Sequence, residues 1–299
     1  MAARKKVVVS LLTARQDFQH QQEADARAAG AAAGLDVEVE FAENNPGIQI
    51  QQLEAHLKEA PDARPVAFVV ETVAAVGFER IARAALSARI GWVVVSARAP
   101  YLETLRKEYA QSLITSATSD DMEIGRIQAR HCLTLLPGGG NILYIEGPSM
   151  APGAIFRRRM AEQELKGSAV SIAHSLSADW TEAGAEWAVS TWLGQEESQD
   201  ARFDLVAAQN DAMAIGARKA IEALRPEWLK LPFIGCDGLP DGGQRYVREG
   251  LLAATVVKPT TAGTGVELVG KHVRGEPVPP FVVLPPRSLP SLEELIKRR

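Results

Sequence analysis

Short apolar runs alternate with longer segments of helical periodicity along most of the chain. The runs 7–12, 66–70 and 92–96 are nearly continuous in valine and other apolar residues, as expected of parallel strands buried on both faces. The segment 17–33 has a helical pattern and ends at Gly34, a residue suited to the left-handed conformation that closes many helices. Strands that alternate with helices predict βαβ units and parallel sheets.

The same order of elements occurs in both halves of the chain, with a break near 116–119. The second half opens with a predicted helix over 120–136 and closes with a short helix over 292–297. The polar segment 101–110 is interpreted as a connection, and the prolines within 285–290 as turns. This pattern favours two doubly wound α/β lobes with parallel sheets over one large sheet.

The composition is that of an ordinary globular protein and argues against several function classes. The 299 residues are 46% hydrophobic and 23% charged, with a net charge of −4, so no general basic field for nucleic acid is expected. No apolar run approaches the roughly 20 residues of a membrane span. The basic start is followed by an apolar run that is too short for a secretory signal. We expect a cytoplasmic protein as the chain stands, or a periplasmic one if a leader was removed.

Residues that usually mark catalytic and metal sites lack the necessary spacing. Cys132 and Cys236 are interpreted as buried hydrophobes, and the five histidines show no metal-ligand pattern. The sequence has no nucleophile elbow, no Walker A motif and no glycine fingerprint after the first strand. We expect no metal, no cofactor and no enzymatic activity.

Polar residues recur where predicted strands end. Glu71, Asn210 and Asp237 end strands, while Arg98 and Lys258 follow the ends of two others. Each alone could cap a helix or face solvent. Their repetition at one topological position predicts a ligand crevice, because the carboxyl ends of parallel strands converge there.

Aromatic residues near the same positions suggest walls for a ligand that has an apolar face. Phe18 opens the first helix, Phe156 lies at the start of another, and Trp180 precedes a third. Aromatic walls with a few polar groups suit a sugar ring, and packing between sheet and helix is the alternative for each. Trp187 and Trp192 lie inside a helix and are interpreted as packing residues.

Three segments in the second half carry a family resemblance. They read AQNDAMAIGA (208–217), IGCDGLPDG (234–242) and GLLAATV (250–256). In this order and spacing they resemble the ribose/galactose type of periplasmic binding protein, whose fold is shared by the effector domains of lac-repressor-type regulators. The pattern of strands and helices agrees with this family up to about residue 284.

The resemblance implies two lobes joined by a three-segment hinge and closing on a small ligand held in the cleft. It implies a non-enzymatic solute-binding protein that serves an ABC-type transporter or a signalling partner. The alternative is the effector domain of a regulator, which would need a DNA-binding segment that the sequence does not show before its first strand. The implied lobe boundaries are 1–117 with 259–280, and 118–258 with 281–299.

Carried over by position, the resemblance also implies which residues contact the ligand. Asn210 would face the ligand, whereas Asp211 would cap the helix that follows. The complete set of implied ligand-binding residues is Phe18, Gln19, Glu71, Arg98, Phe156, Trp180, Asn210, Asp237 and Lys258.

Departures from the family pattern fall on these same positions. Ala97 stands before the arginine, where the family usually has an aspartate, and Lys258 stands at the late hinge segment, where the family has a glutamine. These changes remove a hydroxyl acceptor and add a cation, which shifts the expected ligand toward a substituted, acidic or phosphorylated sugar or another small polar metabolite. Pairing of Lys258 with Glu71 or Asp237 would cancel that shift.

Two further departures concern residue types at the ends of strands and helices. Glu71 stands where the family has Asn or Asp. Phe156 stands where it has an arginine, but Arg157 is adjacent, so the alignment can be shifted by one residue.

Overall fold

The valine-rich runs form three inner strands of one six-stranded sheet, and the second half of the chain forms another sheet of six strands. The structure is a computed structural model, and it describes residues 4–74, 76–97 and 99–298. The chain divides into two compact units, and it passes from one to the other after Ser119, Pro259 and Leu284. The prediction of two doubly wound α/β units is confirmed.

The first unit contains a wholly parallel sheet between two helical layers. The strand order is β11-β5-β4-β3-β1-β2. Val7 and Val9 on one sheet face pack with residues of α1 and α10, whereas Val8 on the other face packs with α2, α3 and α4. The elements are β1 (Lys5–Leu11), α1 (Asp17–Ala33), β2 (Leu35–Phe41), α2 (Pro46–Leu57), β3 (Ala67–Glu71), α3 (Glu79–Ser87), β4 (Gly91–Val95), α4 (Tyr101–Glu108), β5 (Ile114–Ser119), α10 (Ala262–Val273) and β11 (Val282–Leu284).

The second unit repeats this plan with one antiparallel edge strand. The strand order is β7-β6-β8-β9-β10-β12, and β12 runs antiparallel to β10. One core lies between the sheet and α7 and α8, and another lies on the side of α5, α6 and α11. The elements are α5 (Asp121–Leu135), β6 (Gly140–Glu146), α6 (Pro152–Leu165), β7 (Val170–Ser177), α7 (Glu182–Leu193), β8 (Leu205–Ala208), α8 (Asp211–Leu224), β9 (Phe233–Asp237), α9 (Gly243–Arg248), β10 (Ala254–Val257), β12 (Arg287–Leu289) and α11 (Leu292–Lys297).

Side-chain caps explain where several helices begin and end. Asn45 accepts hydrogen bonds from the first backbone N–H groups of α2, Asp120 does the same for α5, and Thr181 caps α7. Gly34 closes α1 with φ of 69°, a conformation that glycine adopts without steric cost. The prediction of α1 over 17–33 is confirmed.

The structure differs from the sequence-based expectations in three places. The segment 101–110, interpreted as a connection, contains helix α4, because Leu102 and Leu105 give it a buried face. The segment 287–289, which lies between the predicted proline turns, forms a strand that was not predicted, and its backbone pairs with β10. Residues 282–284 were assigned to the second lobe, but they pair with β5 and complete the first sheet.

The tryptophans of α7 have different environments. Trp192 is buried and its ring lies 6.4 Å from that of Trp228, so its predicted packing role is confirmed. Trp187 is 71% exposed, so the same prediction is wrong for it. Cys132 and Cys236 are both buried and free, as expected. Among the described residues, no helix is both long and apolar enough to cross a membrane.

A buried histidine in α5 joins the C-terminal segment to the second unit. His131 is fully buried, and its Nε2 lies 2.7 Å from the Ser288 hydroxyl oxygen. The Ser288 hydroxyl donates to the Pro290 carbonyl, so Nε2–H must donate to Ser288. Among the described residues, the Nδ1 atom has no hydrogen-bond partner. Burial therefore lowers the pKa of His131 to about 4, since protonation would create a buried donor without an acceptor.

We predict that this histidine makes the second unit acid-sensitive. Because its folded-state pKa lies below the ordinary value of 6.5, its contribution to stability is complete above pH 6.5 and is lost as the pH falls toward 4. The loss amounts to about 3 kcal/mol of unfolding free energy. In urea unfolding across this pH range, the unfolding free energy of His131→Gln should decrease less with falling pH than that of the wild type. The exposed His20→Gln is the control, and equal slopes in all three proteins would contradict the assignment.

Candidate functional site

Both sheets reverse their strand order beside a central strand. In the first sheet β1 lies between β2 and β3, and in the second β6 lies between β7 and β8. Consecutive crossovers leave such a strand in opposite directions, which opens a crevice at the carboxyl ends of the strands. Each unit therefore has one candidate site at this edge.

In the first unit, Glu71 lies at the end of β3 and is held by glutamine side chains. The carboxylate Oε2 accepts hydrogen bonds from Gln19 Nε2 at 3.0 Å and from Gln22 Nε2 at 3.1 Å. Glu71 is only 5% exposed. These bonds fix the carboxylate against the edge of the sheet.

Gln22 satisfies all its amide groups while joining three parts of the first unit. Its second N–H donates to the Ser96 hydroxyl at 2.9 Å, and its carbonyl accepts the backbone N–H groups of Thr261 and Ala262. The Ser96 hydroxyl in turn lies 2.9 Å from that of Thr261. The network links α1, the end of β4 and the start of α10.

The remaining predicted residues of the first unit differ in position. Phe18 is buried in the first turn of α1. Gln19 is also buried, and its carbonyl accepts the backbone N–H of Leu12 while its amide holds Glu71. Gln19 thus positions Glu71 from the interior. Arg98, predicted as a ligand contact, lies outside the described residues.

In the second unit, Trp180 is the aromatic residue at the reversal. It is half-buried and has φ of 70°, an unusual conformation for a residue with a bulky side chain. Its indole lies directly on Gly147, which follows β6, and a Cβ atom at Gly147 would come within 2.1 Å of the ring. The glycine therefore creates the space that the indole occupies.

Arg157, the neighbour of Phe156 on α6, reaches this edge. Its guanidinium lies 5.5 Å from the Trp180 ring centroid, within the range of a cation–π interaction. Arg157 Nε donates to Asp121 Oδ1 at 2.9 Å, and Nη1 donates to the Gln209 carbonyl at 2.6 Å. Phe156 is half-buried on α6.

Asn210 is the N-cap of α8. Its Oδ1 accepts the backbone N–H of Met213 at 2.8 Å, and its Nδ2 donates to the Trp180 carbonyl at 2.9 Å. One N–H of the amide remains beyond these two bonds. The expectation that Asp211 caps this helix is therefore wrong, since Asn210 has the extended backbone that an N-cap requires.

The buried Asp211 carboxylate instead links α8 with the end of β9 and with β10. The carboxylate is 4% exposed and accepts hydrogen bonds from the Gly238 backbone N–H at 2.7 Å and the Thr255 hydroxyl at 2.6 Å. Burial raises the pKa of Asp211 well above its ordinary value, and the charge of Asp237 raises it further. Asp211 is a structural group that draws the end of β9 toward α8.

Asp237 and Lys258 lie at the ends of neighbouring strands β9 and β10. Both are half-buried, and the Lys258 backbone N–H donates to the Asp237 carbonyl at 3.1 Å. Asp237 has φ of 106°, and positive φ values also occur at Ser96 and Trp180. Such backbone strain is concentrated at binding sites, where the surrounding structure holds it in place. Ser96 and Asp237 have this backbone conformation at the carboxyl ends of β4 and β9, although Arg89, which precedes β4, also has a positive φ.

Sequence reasoning missed several residues that build these edges, namely Gln22, Ser96, Thr261, Asp121 and Gln209. One signal could have found Gln22. It lies with Phe18, Gln19 and Ala26 on the buried face of α1, and glutamines on an otherwise apolar helix face require buried partners.

With this geometry established, comparison with known proteins identifies the family. Residues 7–277 match the family model described as a periplasmic binding protein domain. Because the match includes most of the chain, the protein belongs to this family, and the resemblance seen in the sequence is confirmed.

Characterised relatives are similar over part of their length. A xylitol-binding protein of Mycolicibacterium smegmatis is 30% identical over 172 residues, which are 56% of this chain and 47% of the relative. A ribose import binding protein of Salmonella typhimurium is 26% identical over 184 residues, 61% of this chain and 60% of the relative. The alignments thus span about half the length of these relatives.

Solved structures show the same fold over the whole chain. An ABC transporter solute binding protein of Bacillus halodurans with bound myo-inositol superposes with a TM-score of 0.82 at 19% identity. The superposition covers 100% of this chain and 98% of that protein. At this identity the comparison establishes the fold.

We predict that Asp211→Asn preserves the fold and changes the pH dependence of stability. An asparagine can accept from the Gly238 N–H and donate to the Thr255 hydroxyl oxygen, as a protonated Asp211 would. Since the folded-state pKa is raised, the contribution of Asp211 to stability is greatest below its ordinary value of 3.8 and is lost as the pH rises through the folded-state pKa. In urea unfolding between pH 4 and pH 9, the unfolding free energy of Asp211→Asn should therefore increase relative to that of the wild type as the pH rises.

The control for this prediction is Asp211→Ala. It leaves the buried Gly238 N–H and Thr255 hydroxyl without a partner, so unfolding free energy should fall by about 1–3 kcal/mol at every pH. A difference between Asp211→Asn and the wild type that does not vary with pH would show that Asp211 does not titrate as proposed.

Proposed function

We propose that the chain is a solute-binding protein for a small polyhydroxylated ligand, a sugar or sugar derivative, and that it delivers this ligand to an ABC-type transporter. The observation that carries the proposal is the Trp180 indole at the strand edge, seated on Gly147 and 5.5 Å from the Arg157 guanidinium. An aromatic face beside fixed hydrogen-bond donors suits a ring that has C–H faces and hydroxyl edges. The names of the relatives, which concern xylitol and ribose, support the same ligand class.

We infer that some of these residues contact the ligand and that others hold the contacting residues in position. Trp180, Asp237, Lys258 and the remaining N–H of Asn210 are the candidate contacts of the second unit. Phe18, Glu71 and Arg98 are retained as candidates from the first unit, and Phe156 as a candidate on α6. Gln19 would act by holding Glu71 in place.

The charge of the second-unit edge favours a neutral ligand over an anionic one. Arg157 is 3% exposed and is paired with Asp121 at 2.9 Å, so its charge is compensated within the protein. Asp237 contributes a carboxylate acceptor at the same edge. These groups offset the additional cation at Lys258, which the sequence alone connects with acidic or phosphorylated sugars.

We further infer that the protein binds its ligand without chemical conversion and acts in the periplasm. The family is described by binding, and the relatives are named as binding and import proteins. These names also favour the solute-binding role over the effector domain of a regulator. NMR spectra of a bound probe that remain unchanged over hours would agree with binding alone, whereas new product signals would contradict it.

We predict that Trp180→Ala weakens ligand binding about 10- to 100-fold, because the indole supplies a rigid stacking surface. Isothermal titration calorimetry against xylitol, ribose, galactose and myo-inositol first identifies a ligand. Galacturonate and ribose 5-phosphate are titrated in the same way to test whether acidic sugars bind. The Trp187→Ala variant is the matched control, because this tryptophan of the same unit is 71% exposed. It should bind as the wild type does.

Three results would contradict parts of this proposal. Equal affinities of Trp180→Ala and the wild type would remove Trp180 from the site. Preferential binding of the acidic probes would overturn the neutral-ligand inference. Absence of binding to every probe, together with no small molecule in a native mass spectrum, would contradict the proposed ligand class.

A further inference from the structure

A histidine and two glutamates converge on one face of the first unit, at the edge strand β2. Glu38 and Glu40 are two residues apart on this strand, so both point away from the core that contains Val37 and Val39. His56 lies in the last turn of α2. One potential ligand atom from each of Glu38, Glu40 and His56 lies within 4.8 Å of the others.

His56 is buried and oriented by a third carboxylate. The residue is 6% exposed, and its Nδ1 lies 2.7 Å from Glu59 Oε1. Glu59 Oε2 in turn accepts a hydrogen bond from Lys6 at 2.7 Å. Because Glu59 is paired with the Lys6 ammonium, its carboxylate accepts from the His56 Nδ1–H. This bond directs the lone pair of Nε2 toward Glu40.

Two buried atoms of this site, His56 Nε2 and Glu40 Oε2, have no hydrogen-bond partner within the part of the chain that the structure describes. His56 Nε2 lies 3.3 Å from the other oxygen of the same carboxylate, Glu40 Oε1. A lone pair opposite a carboxylate at this distance is repulsive unless positive charge lies between them. That charge must be supplied by a proton or by a cation.

The formal charge of the surroundings matches a divalent cation. Glu38, Glu40 and Glu59 contribute three negative charges, and Lys6 contributes one positive charge at 3.8 Å from Glu38 and 2.7 Å from Glu59. With neutral His56, the group carries a charge of −2. Lys6 is hydrogen-bonded to Glu59 and lies farther from Glu38, so its one charge is shared between these two carboxylates.

We propose that Glu38, Glu40 and His56 form a binding site for a divalent transition-metal ion, best suited to Zn²⁺. An imidazole nitrogen with two carboxylates is a donor set that favours zinc over calcium or magnesium, which prefer oxygen ligands alone. The hydrogen bond between Glu59 and His56 is of the kind that fixes the orientation of a metal-binding imidazole. Bound metal would join the edge strand β2 to α2 and stabilise the first unit by linkage.

This site is separate from the strand-end residues and does not depend on the proposed ligand. The test uses the full chain with any affinity tag removed, after treatment with a chelator. Zn²⁺ titrated by calorimetry should bind with one site per chain, and it should raise the thermal unfolding temperature. Ca²⁺ and Mg²⁺ should bind at least about tenfold more weakly.

Variants assign the binding to these residues. Glu40→Gln and His56→Gln should each weaken Zn²⁺ binding by more than about 100-fold, and Glu59→Gln by about 10- to 100-fold. His20→Gln is the matched control, because His20 lies 3.8 Å from Glu23 on the exposed surface of the same unit. Its affinity should equal that of the wild type.

Circular dichroism without metal checks that each variant folds. If a variant of a buried residue does not fold, Glu38→Gln is the substitute, since its side chain is 48% exposed. The proposal is overturned if wild-type protein takes up no Zn²⁺, or if the Glu38, Glu40 and His56 variants retain wild-type affinity. Nitrogen-15 NMR signals that show both His56 nitrogens protonated at neutral pH, unchanged by Zn²⁺, would show that a proton supplies the positive charge.

Discussion

The candidate ligand residues depend on one topological constraint, the reversal of strand order beside β1 and β6. Each reversal separates two loops at the carboxyl end of a sheet and leaves space that no crossover helix fills. Glu71 lies beside this space in the first unit, and Trp180 and Asn210 lie beside it in the second. A sheet whose strands followed one another in simple order would place the same side chains on separate loops.

Side-chain amides and carboxylates convert this open space into a defined surface. Gln22 connects the end of β4 with α10, and Asp211 connects α8 with β9 and β10. Their hydrogen-bonding groups are directed into the protein, so their contribution is to hold neighbouring residues in position. Rigid support of this kind limits the conformational entropy that a binding site loses when its ligand arrives.

The sequence was sufficient to predict the fold because local patterns and architecture agree. Valine-rich runs, a helix stop at Gly34 and the alternation of strands with helices each indicate parallel α/β units. Short elements such as β12 escaped prediction, because three residues between prolines carry no periodicity and their pairing with β10 is decided by tertiary contacts. The helix α4 was missed because only Leu102 and Leu105 form its buried face.

The sequence indicated where the candidate residues lie along the chain better than it indicated what each of them does. Asn210 and Trp180 were placed at strand ends by the sequence, but only coordinates show that Asn210 caps α8 and that Arg157 lies over the indole. The group of Glu38, Glu40 and His56 has no signature in the sequence at all. Its members come together only when α2 packs beside the edge strand β2.

The three passages of the chain between the units also constrain how the protein folds during synthesis. The first unit needs α10, which packs on α1, and β11, which completes its sheet, so it is incomplete until residue 284 has been made. The second unit needs β12 and α11, which come later still. Domains usually fold in order as they leave the ribosome. In this chain neither unit has its full core before residue 284 has been added, so shorter nascent chains remain incompletely folded.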